Sequence, residues 1–327
     1  MNLEALDLIL ESLVYPGLAT TIFFIVFTQW IARKLSARIM YRRGPIYAGP
    51  AGFLQPLADL FKLVLKRDLV NRYSMGISTV VLVSIATGFI VVAQLFLPVA
   101  YRPIYSSFDA IALLYFLLLA PFALAYLAAG HPNPYTTIGV ARYLAILFVA
   151  EPAFAISVLV PVLIASQRFG AEYSIYETSV VSHLLWAADP FKTIAMILSA
   201  IAGFISMLAI LGLKPFDAPE AESEIYWGMF TEVGGPRLAL AFFMKFAERI
   251  LFPMIYAVLF LGGVWPANSF NWFANALTVY IKTLIVFVAT VVVDSILPRY
   301  RPDQAVSFIL KYVYPISIAS LLLVIVK

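Results

Sequence analysis

Eight stretches of this chain are apolar almost without interruption, and each is long enough to cross about 30 Å of hydrocarbon as a helix. They lie near residues 13–31, 77–97, 110–129, 140–166, 193–213, 238–261, 273–293 and 305–326. Continuous runs predict helices, because the strands of a membrane barrel alternate apolar and polar residues over about ten positions. A shorter stretch, 53–67, has a different pattern: Leu54, Leu57, Ala58, Phe61 and Leu65 recur on one side of a helix, while Gln55, Asp59, Lys62 and Lys66 fall on another. Too short and too charged to span, it predicts an amphipathic helix in the membrane interface. Pro56 fits its first turn, where the missing N–H would have no helical partner. The Gly44-Pro45 and Gly49-Pro50 pairs, with Gly52, predict a stiff, turning connection ahead of it. No internal repeat or flexible linker interrupts the pattern. The expected fold class is therefore all-α integral membrane, with about eight transmembrane helices plus one interfacial amphipathic helix, in a single polytopic domain over 1–327.

Composition removes several function classes. Hydrophobic residues make up 63% and charged residues 12%, with a mean hydropathy of +0.94, whereas soluble domains carry roughly 25% charged residues. The lipid bilayer is the expected solvent. There are no cysteines, which excludes disulfides, iron–sulfur ligation and thiolate zinc within the chain, and only His131 and His183 offer imidazole. No metal or cofactor site is expected here, so any redox metal belongs to a partner.

The net charge of +4 does not point to nucleic acid, because the basic residues cluster beside apolar spans without interleaved aromatics. They read as a topology signal instead. The first loop holds Arg33, Lys34, Arg38, Arg42, Arg43, Lys62, Lys66, Arg67 and Arg72, while the next offers only Arg102 and 262–273 carries no charge. Lys and Arg accumulate in cytoplasmic loops, so the first loop, and the last with Arg299, Arg301 and Lys311, are expected in the cytoplasm of a cell-membrane protein with both termini external. Residues 1–15 carry acids rather than a basic leader, and the first apolar run has no small-residue cleavage pattern, so it reads as a retained span.

Chemistry concentrates in three places. KPFDAPEAESEIYWGMFTE (214–232) puts Asp217, Glu220, Glu222, Glu224 and Glu232, five of the eighteen acids, in one expected cytoplasmic loop. With Asp217 capping a helix and Glu220 at its third position, Asp217, Glu220 and Glu224 would share a face as a carboxylate row. Like charges this close disfavour full ionisation, which lets a row hold and pass protons; the alternative is a solvated acidic helix. Glu151 stands about eleven residues into the fourth run, near mid-membrane, where a charge costs on the order of 3 kcal/mol and intramembrane acids line wet pathways or find partners. Pro152 follows it and loosens the backbone hydrogen bonding there. The alternative is a protonated acid hydrogen-bonded to a neighbouring helix. Lys245, Glu248 and Arg249 interrupt the sixth run seven or more residues inside it, too deep for ordinary snorkelling, and favour an internal polar channel over simple interhelical pairing.

These residues fall in recognisable stretches. RRGPIYAGPAGFLQPLADLFKLVLKRD (42–68) resembles the first cytoplasmic loop of the H subunit of NADH:quinone oxidoreductase, respiratory complex I, and three more stretches follow in that family's order: GHPNPYTTIGVARYLAILFVAEP from Gly130, PFDAPEAESEIYWGMFTEVGG from Pro215, and LPRYRPDQ from Leu297. The resemblance covers nearly the whole chain. It implies a non-catalytic subunit that docks a peripheral redox arm, with iron–sulfur and hydrogenase-like large and small subunits, and links it to antiporter-like membrane subunits that move protons or sodium. Iron–sulfur clusters, and in some versions NiFe, would sit in those partners. It further implies Asp59 as a chamber or interface acid with Arg42, Gln55 and Lys62 nearby, and Arg43 as a basic organiser. Asp217, Glu220, Glu222, Glu224 and Glu232 become an acidic entrance and Glu151 the membrane-level proton site; the position of Lys245 and Glu248 in the sixth run adds them to the expected proton path. Arg142, Arg299 and Arg301 would order the loops by pairing with acids.

Several positions depart from the family pattern. Ala32 replaces an acid, Ile46-Tyr47 replaces an Asn-Arg pair, the basic residue ahead of the PFD motif is displaced to Lys214 or absent, and Asp294 replaces a basic residue ahead of LPRYR. They fall where a quinone enzyme keeps polar groups, so the pattern is similar to ferredoxin-linked, archaeal-type membrane-bound hydrogenases or sulfur reductases. The rival within the family is the quinone-chamber subunit of an NADH or F420H2:quinone-type oxidoreductase. Outside it, a stand-alone secondary transporter would show related halves with paired midplane sites, and a structural anchor would need no intramembrane acid.

Overall fold

The structure, a computed structural model, describes residues 11–187, 189–267 and 271–326, apart from the side chains of Glu222 and Ser223. Helices account for all the regular structure among them. In chain order these are α1 (Leu18–Ile39), α2 (Gln55–Leu65), α3 (Gly76–Ala93), α4 (Asp109–Ala129), α5 (Pro134–Phe169), α6 (Ile175–Leu185), α7 (Pro190–Ile210), α8 (Glu222–Ile225), α9 (Gly235–Phe260), α10 (Trp272–Ile296), α11 (Pro302–Phe308) and α12 (Tyr314–Ile325). A π-turn over Ile309–Val313 joins α11 to α12, so that Pro302–Ile325 reads as one membrane-length helix.

Seven helices among the described residues are long and apolar enough to cross a membrane. The eighth expected span is α9, whose 26 residues cover about 39 Å but carry too many charges to belong to that set. Its position explains how it keeps them: α9 packs against α1, α2, α3, α4, α5, α6, α7 and α10, and most of its residues are buried. The other spans therefore stand between its charges and lipid.

Small residues allow the close approaches. Where α5 crosses α7, a Cβ on Gly203 would stand 3.2 Å from the Ser157 Cβ, and Ala153, Ser199, Ala202 and Ser206 are buried around it. The 36-residue α5 starts at Pro134, six residues before the expected span, because the Asn133 side chain accepts the Tyr135 N–H at 2.8 Å and Pro134 occupies the first turn. The stretch between α5 and α7, expected only as a loop, holds α6. Its start is fixed by buried Asp109, which accepts from the Ser174 hydroxyl at 2.7 Å and the Ile175 N–H at 2.6 Å.

The amphipathic helix is α2, as the pattern predicts, with Pro56 in its first turn. It lies against α1 and α9 with Leu54, Phe61 and Leu65 exposed, while Gln55 and Asp59 turn toward α1. The connection beyond α2 is tied to the start of α9 by Arg237, whose Nε donates to Asp68 at 3.0 Å.

Candidate functional site

The acidic segment does not form the single helical face that its spacing predicts. A short turn of helix covers Ala218–Glu220, Ala221 is extended at ψ 97°, and only then does α8 begin. Asp217 precedes the turn but makes no capping bond with its side chain. Tyr226, Trp227 and Gly228 follow with φ of 47°, 73° and 50°, a left-handed stretch in which non-glycine residues cost on the order of 1–3 kcal/mol each. Ring contacts help to hold it: Tyr226, though exposed, meets Tyr135 edge-on at 5.3 Å, and Trp227 packs on Phe242 at 5.7 Å. Gly228 also permits contact that no side chain would, since a Cβ there would lie 2.1 Å from the Pro219 carbonyl oxygen. On α5, a Cβ at Gly139 would stand 2.7 Å from the Met229 nitrogen, so the segment is seated directly on that helix.

Folded this way, the acids separate and each described one meets its own partner. Arg299 donates to Asp217 through Nε at 2.7 Å and Nη2 at 2.6 Å, a bidentate pair. Arg142 donates to Glu224 at 2.8 Å. Glu232 is exposed and accepts from the Asn133 amide at 2.5 Å. Glu220 turns inward and pairs with Lys245 of α9, whose ammonium also faces the Phe230 ring at 5.7 Å. The side chain of Glu222 lies outside the described residues. Arg301, expected to pair with an acid, instead stands exposed at the start of α11 and joins no ion pair among the described residues; its backbone N–H donates to the Gln304 side chain at 3.2 Å.

From Glu220 the polar groups continue into the bundle. Lys245 is 6% exposed and Glu248, one turn further along α9, is 2% exposed, placing them about 15 and 20 Å from the start of the helix. Glu248 Oε1 is buried without a hydrogen-bond partner, a state uncommon in folded proteins. Buried Tyr143 of α5 stands within the electrostatic reach of Glu220, Glu248 and Glu151 together. Sequence pattern assigns Tyr143 no role; its place in the ARYLAILFVAE stretch, eight residues before Glu151, is the one signal that could have found it.

Glu151, about 25 Å along α5, is half-buried and lines a cavity of about 540 Å³ between α4, α5, α7 and α9. The remaining wall is almost wholly apolar, including Phe148, Pro152, Phe154 and Phe252. Glu248 is the acid whose electrostatic influence reaches Glu151. Pro152 and Pro121 lack the N–H that would engage the carbonyls of Phe148 and Leu117, and both of those residues border the same cavity. Among the described residues no three His, Asp or Glu gather as a metal site. His131 instead bonds the Leu127 carbonyl at 2.9 Å.

In the first loop, Arg33 of α1 donates to Asp59 at 2.5 Å, and Gln55 donates to the other carboxylate oxygen at 2.9 Å. Lys62, Arg42 and Arg43 are exposed. The structure thus forms two groups of the expected residues, one around α2 and one from the acidic segment into α9 and α5.

The family model described as NADH dehydrogenase matches residues 13–325, nearly the whole chain. The chain belongs to the NADH dehydrogenase family. Within it stand the H-type membrane subunits of complex I-like oxidoreductases. One relative, the H-type subunit of the NADH-quinone oxidoreductase of Dehalococcoides mccartyi, is 30% identical over 90% of this chain and 80% of its own length. Another, the H-type subunit of the F(420)H(2) dehydrogenase of Methanosarcina barkeri, is 29% identical over 89% of this chain and 86% of its own. The fold of this H-type subunit matches a chain in the structure of the membrane-bound sulfane sulfur reductase, an archaeal respiratory membrane complex. The TM-score is 0.77 at 24% identity, covering 94% of this chain and 96% of that one.

Proposed function

We propose that this H-type subunit docks a peripheral iron–sulfur arm against its first loop and acidic segment, and couples electron transfer there to movement of protons or sodium through the membrane. The observation that carries the reading is the Glu220–Lys245 ion pair, which ties a loop acid to α9 one turn from buried Glu248, with buried Tyr143 and half-buried Glu151 within electrostatic reach. A charge arriving beside the loop changes the competition for Lys245. When Lys245 leaves Glu220 it turns to Glu248 one helical turn away, and that displacement alters the proton affinity of the acids beyond it. Asp217 and Glu224, fixed by Arg299 and Arg142, hold the segment while Glu220 responds.

The departures at Ala32, Ile46-Tyr47 and Asp294 support a ferredoxin-linked assembly that needs no quinone. Its partners on this reading are iron–sulfur and hydrogenase-like subunits on one side and antiporter-like membrane subunits on the other, with both termini external by the distribution of Lys and Arg. A quinone-chamber role has its own support in the name of the Dehalococcoides relative; turnover with an added short-chain quinone that a competitive quinone-site inhibitor blocks separates the two, because only a dedicated quinone site responds to the inhibitor.

The test is Glu248→Gln in the intact complex reconstituted into vesicles. Redox-driven ion accumulation should fall at least ten-fold while the complex still assembles. Unchanged accumulation removes Glu248 from the mechanism. A stand-alone transporter would exchange ions as a purified monomer without any electron donor.

A further inference from the structure

A second cavity, of about 470 Å³, lies at the end of α1 that carries the first loop, and it shares no wall with the Glu151 cavity. Gln29 and Arg33 of α1, Arg42 and Arg43 of the connection, Arg249 of α9 and Asp294 of α10 line it. Arg33 is matched by Asp59, and Asp294 accepts the backbone N–H of Lys214 at 2.9 Å. Among the described residues, Arg42, Arg43 and Arg249 have no carboxylate within ion-pair distance. Three guanidinium groups therefore face a single acid.

The unmet hydrogen-bonding groups are of one kind. Gln29 is 5% exposed and its Nε2 has no acceptor; Arg249 Nε is buried and has none either. Both are donors, in a region where buried polar groups are ordinarily satisfied. Water supplies acceptors but no charge, whereas an excess of guanidinium calls for an anion, and the guanidinium fork matches phosphate oxygens in pairs. The cavity is also two-faced, since the α10 stretch that includes Phe287 and Val291 forms an apolar part of its wall. An anion carried on an apolar tail fits both faces.

We propose that this cavity binds a phosphoryl anion, held by Arg42, Arg43 and Arg249 with Gln29 donating from the buried wall. Two sources share that chemistry: the headgroup of an acidic phospholipid in the adjoining leaflet, and free inorganic phosphate. Neither uses Glu220, Lys245, Glu248 or Glu151.

The experiment uses the intact complex in mild detergent, in two arms. Native mass spectrometry after exposure to mixed micelles of phosphatidylglycerol and phosphatidylcholine reads the lipid source. Equilibrium dialysis of radiolabelled phosphate against chloride at equal ionic strength reads the free anion. One phosphatidylglycerol retained per H-type subunit, or one bound phosphate, is expected, and the positive arm names the source. Arg42→Gln with Arg43→Gln should lower retention or affinity at least ten-fold. Gln29→Leu should lower it at least three-fold, and carries the test if the arginine variant fails to assemble. Binding of neither anion above phosphatidylcholine and chloride would overturn the proposal, as would binding indifferent to these substitutions or retention of a quinone in their place.

Discussion

The first loop and the acidic segment each set an acid against a base across two elements, yet the two pairs differ in surroundings. The side chains of Arg33 and Asp59 are each 36% exposed, whereas those of Lys245 and Glu220 are 7% and 21% exposed. In the first case water competes with the partner, so the pair orients α2 on α1 and contributes little to stability. In the second, separating the charges leaves an ammonium in a low-dielectric interior beside Glu248, and the surroundings must respond. The same chemical pair is a fastening in one place and a sensor in the other. Depth, not residue type, makes the difference.

That contrast can be broken most severely at Lys245. Lys245→Met leaves Glu220 without its ion-pair partner and takes a nearby positive charge away from buried Glu248, and should cost about 3–5 kcal/mol as well as abolish redox-driven ion accumulation. Denaturant midpoints of the detergent-solubilised complex and vesicle assays check the two parts, and a stable, active variant would refute the buried role. Next in size is Gly139→Val, which drives a side chain into the Met229 backbone 2.7 Å from the Cβ position. A loss of about 1–3 kcal/mol is expected, with faster proteolysis of the acidic segment as the readout. Asp217→Asn removes the charge from a bidentate pair that is 26% and 14% exposed, and should cost about 1–2 kcal/mol while leaving a reduced but measurable coupling. Smallest is Asp59→Asn, expected to change the midpoint by under about 1 kcal/mol. A loss there as large as at Lys245 would erase the distinction between the two regions.

The spans were legible because lipid demands uninterrupted apolar sequence, and that demand leaves a direct trace in the chain. Their ends were less so. The start of α5 at Pro134 depends on the Asn133 cap, and the start of α9 at Gly235 depends on a backbone φ of 55°; neither is part of a hydropathy run. The acid groups were legible as residues but not as an arrangement. Spacing made Asp217, Glu220 and Glu224 one helical row, whereas the extended Ala221 and left-handed Tyr226 and Trp227 turn the chain within and beyond that row. Those turns are imposed by tertiary contacts with Gly139, Tyr135 and Phe242, which have no local signature. Tyr143 escaped for a related reason: an aromatic in an apolar helix ordinarily means packing, and only the approach of α9 and the acidic segment gives it charged neighbours. Arg142 and Arg299 each meet an acid, whereas Arg301 joins no ion pair among the described residues.

Helix α9 has a consequence for how the protein is made. With Lys245, Glu248 and Arg249 near its middle, entry into the bilayer alone would cost on the order of 3 kcal/mol for each charge. The translocon must therefore release it in company, once α5 and α7 are available to receive it and as α10 emerges behind it. A nascent chain halted between α9 and α10 would be retained at the lateral gate, so biogenesis of this subunit is ordered by the same side chains that fill its centre.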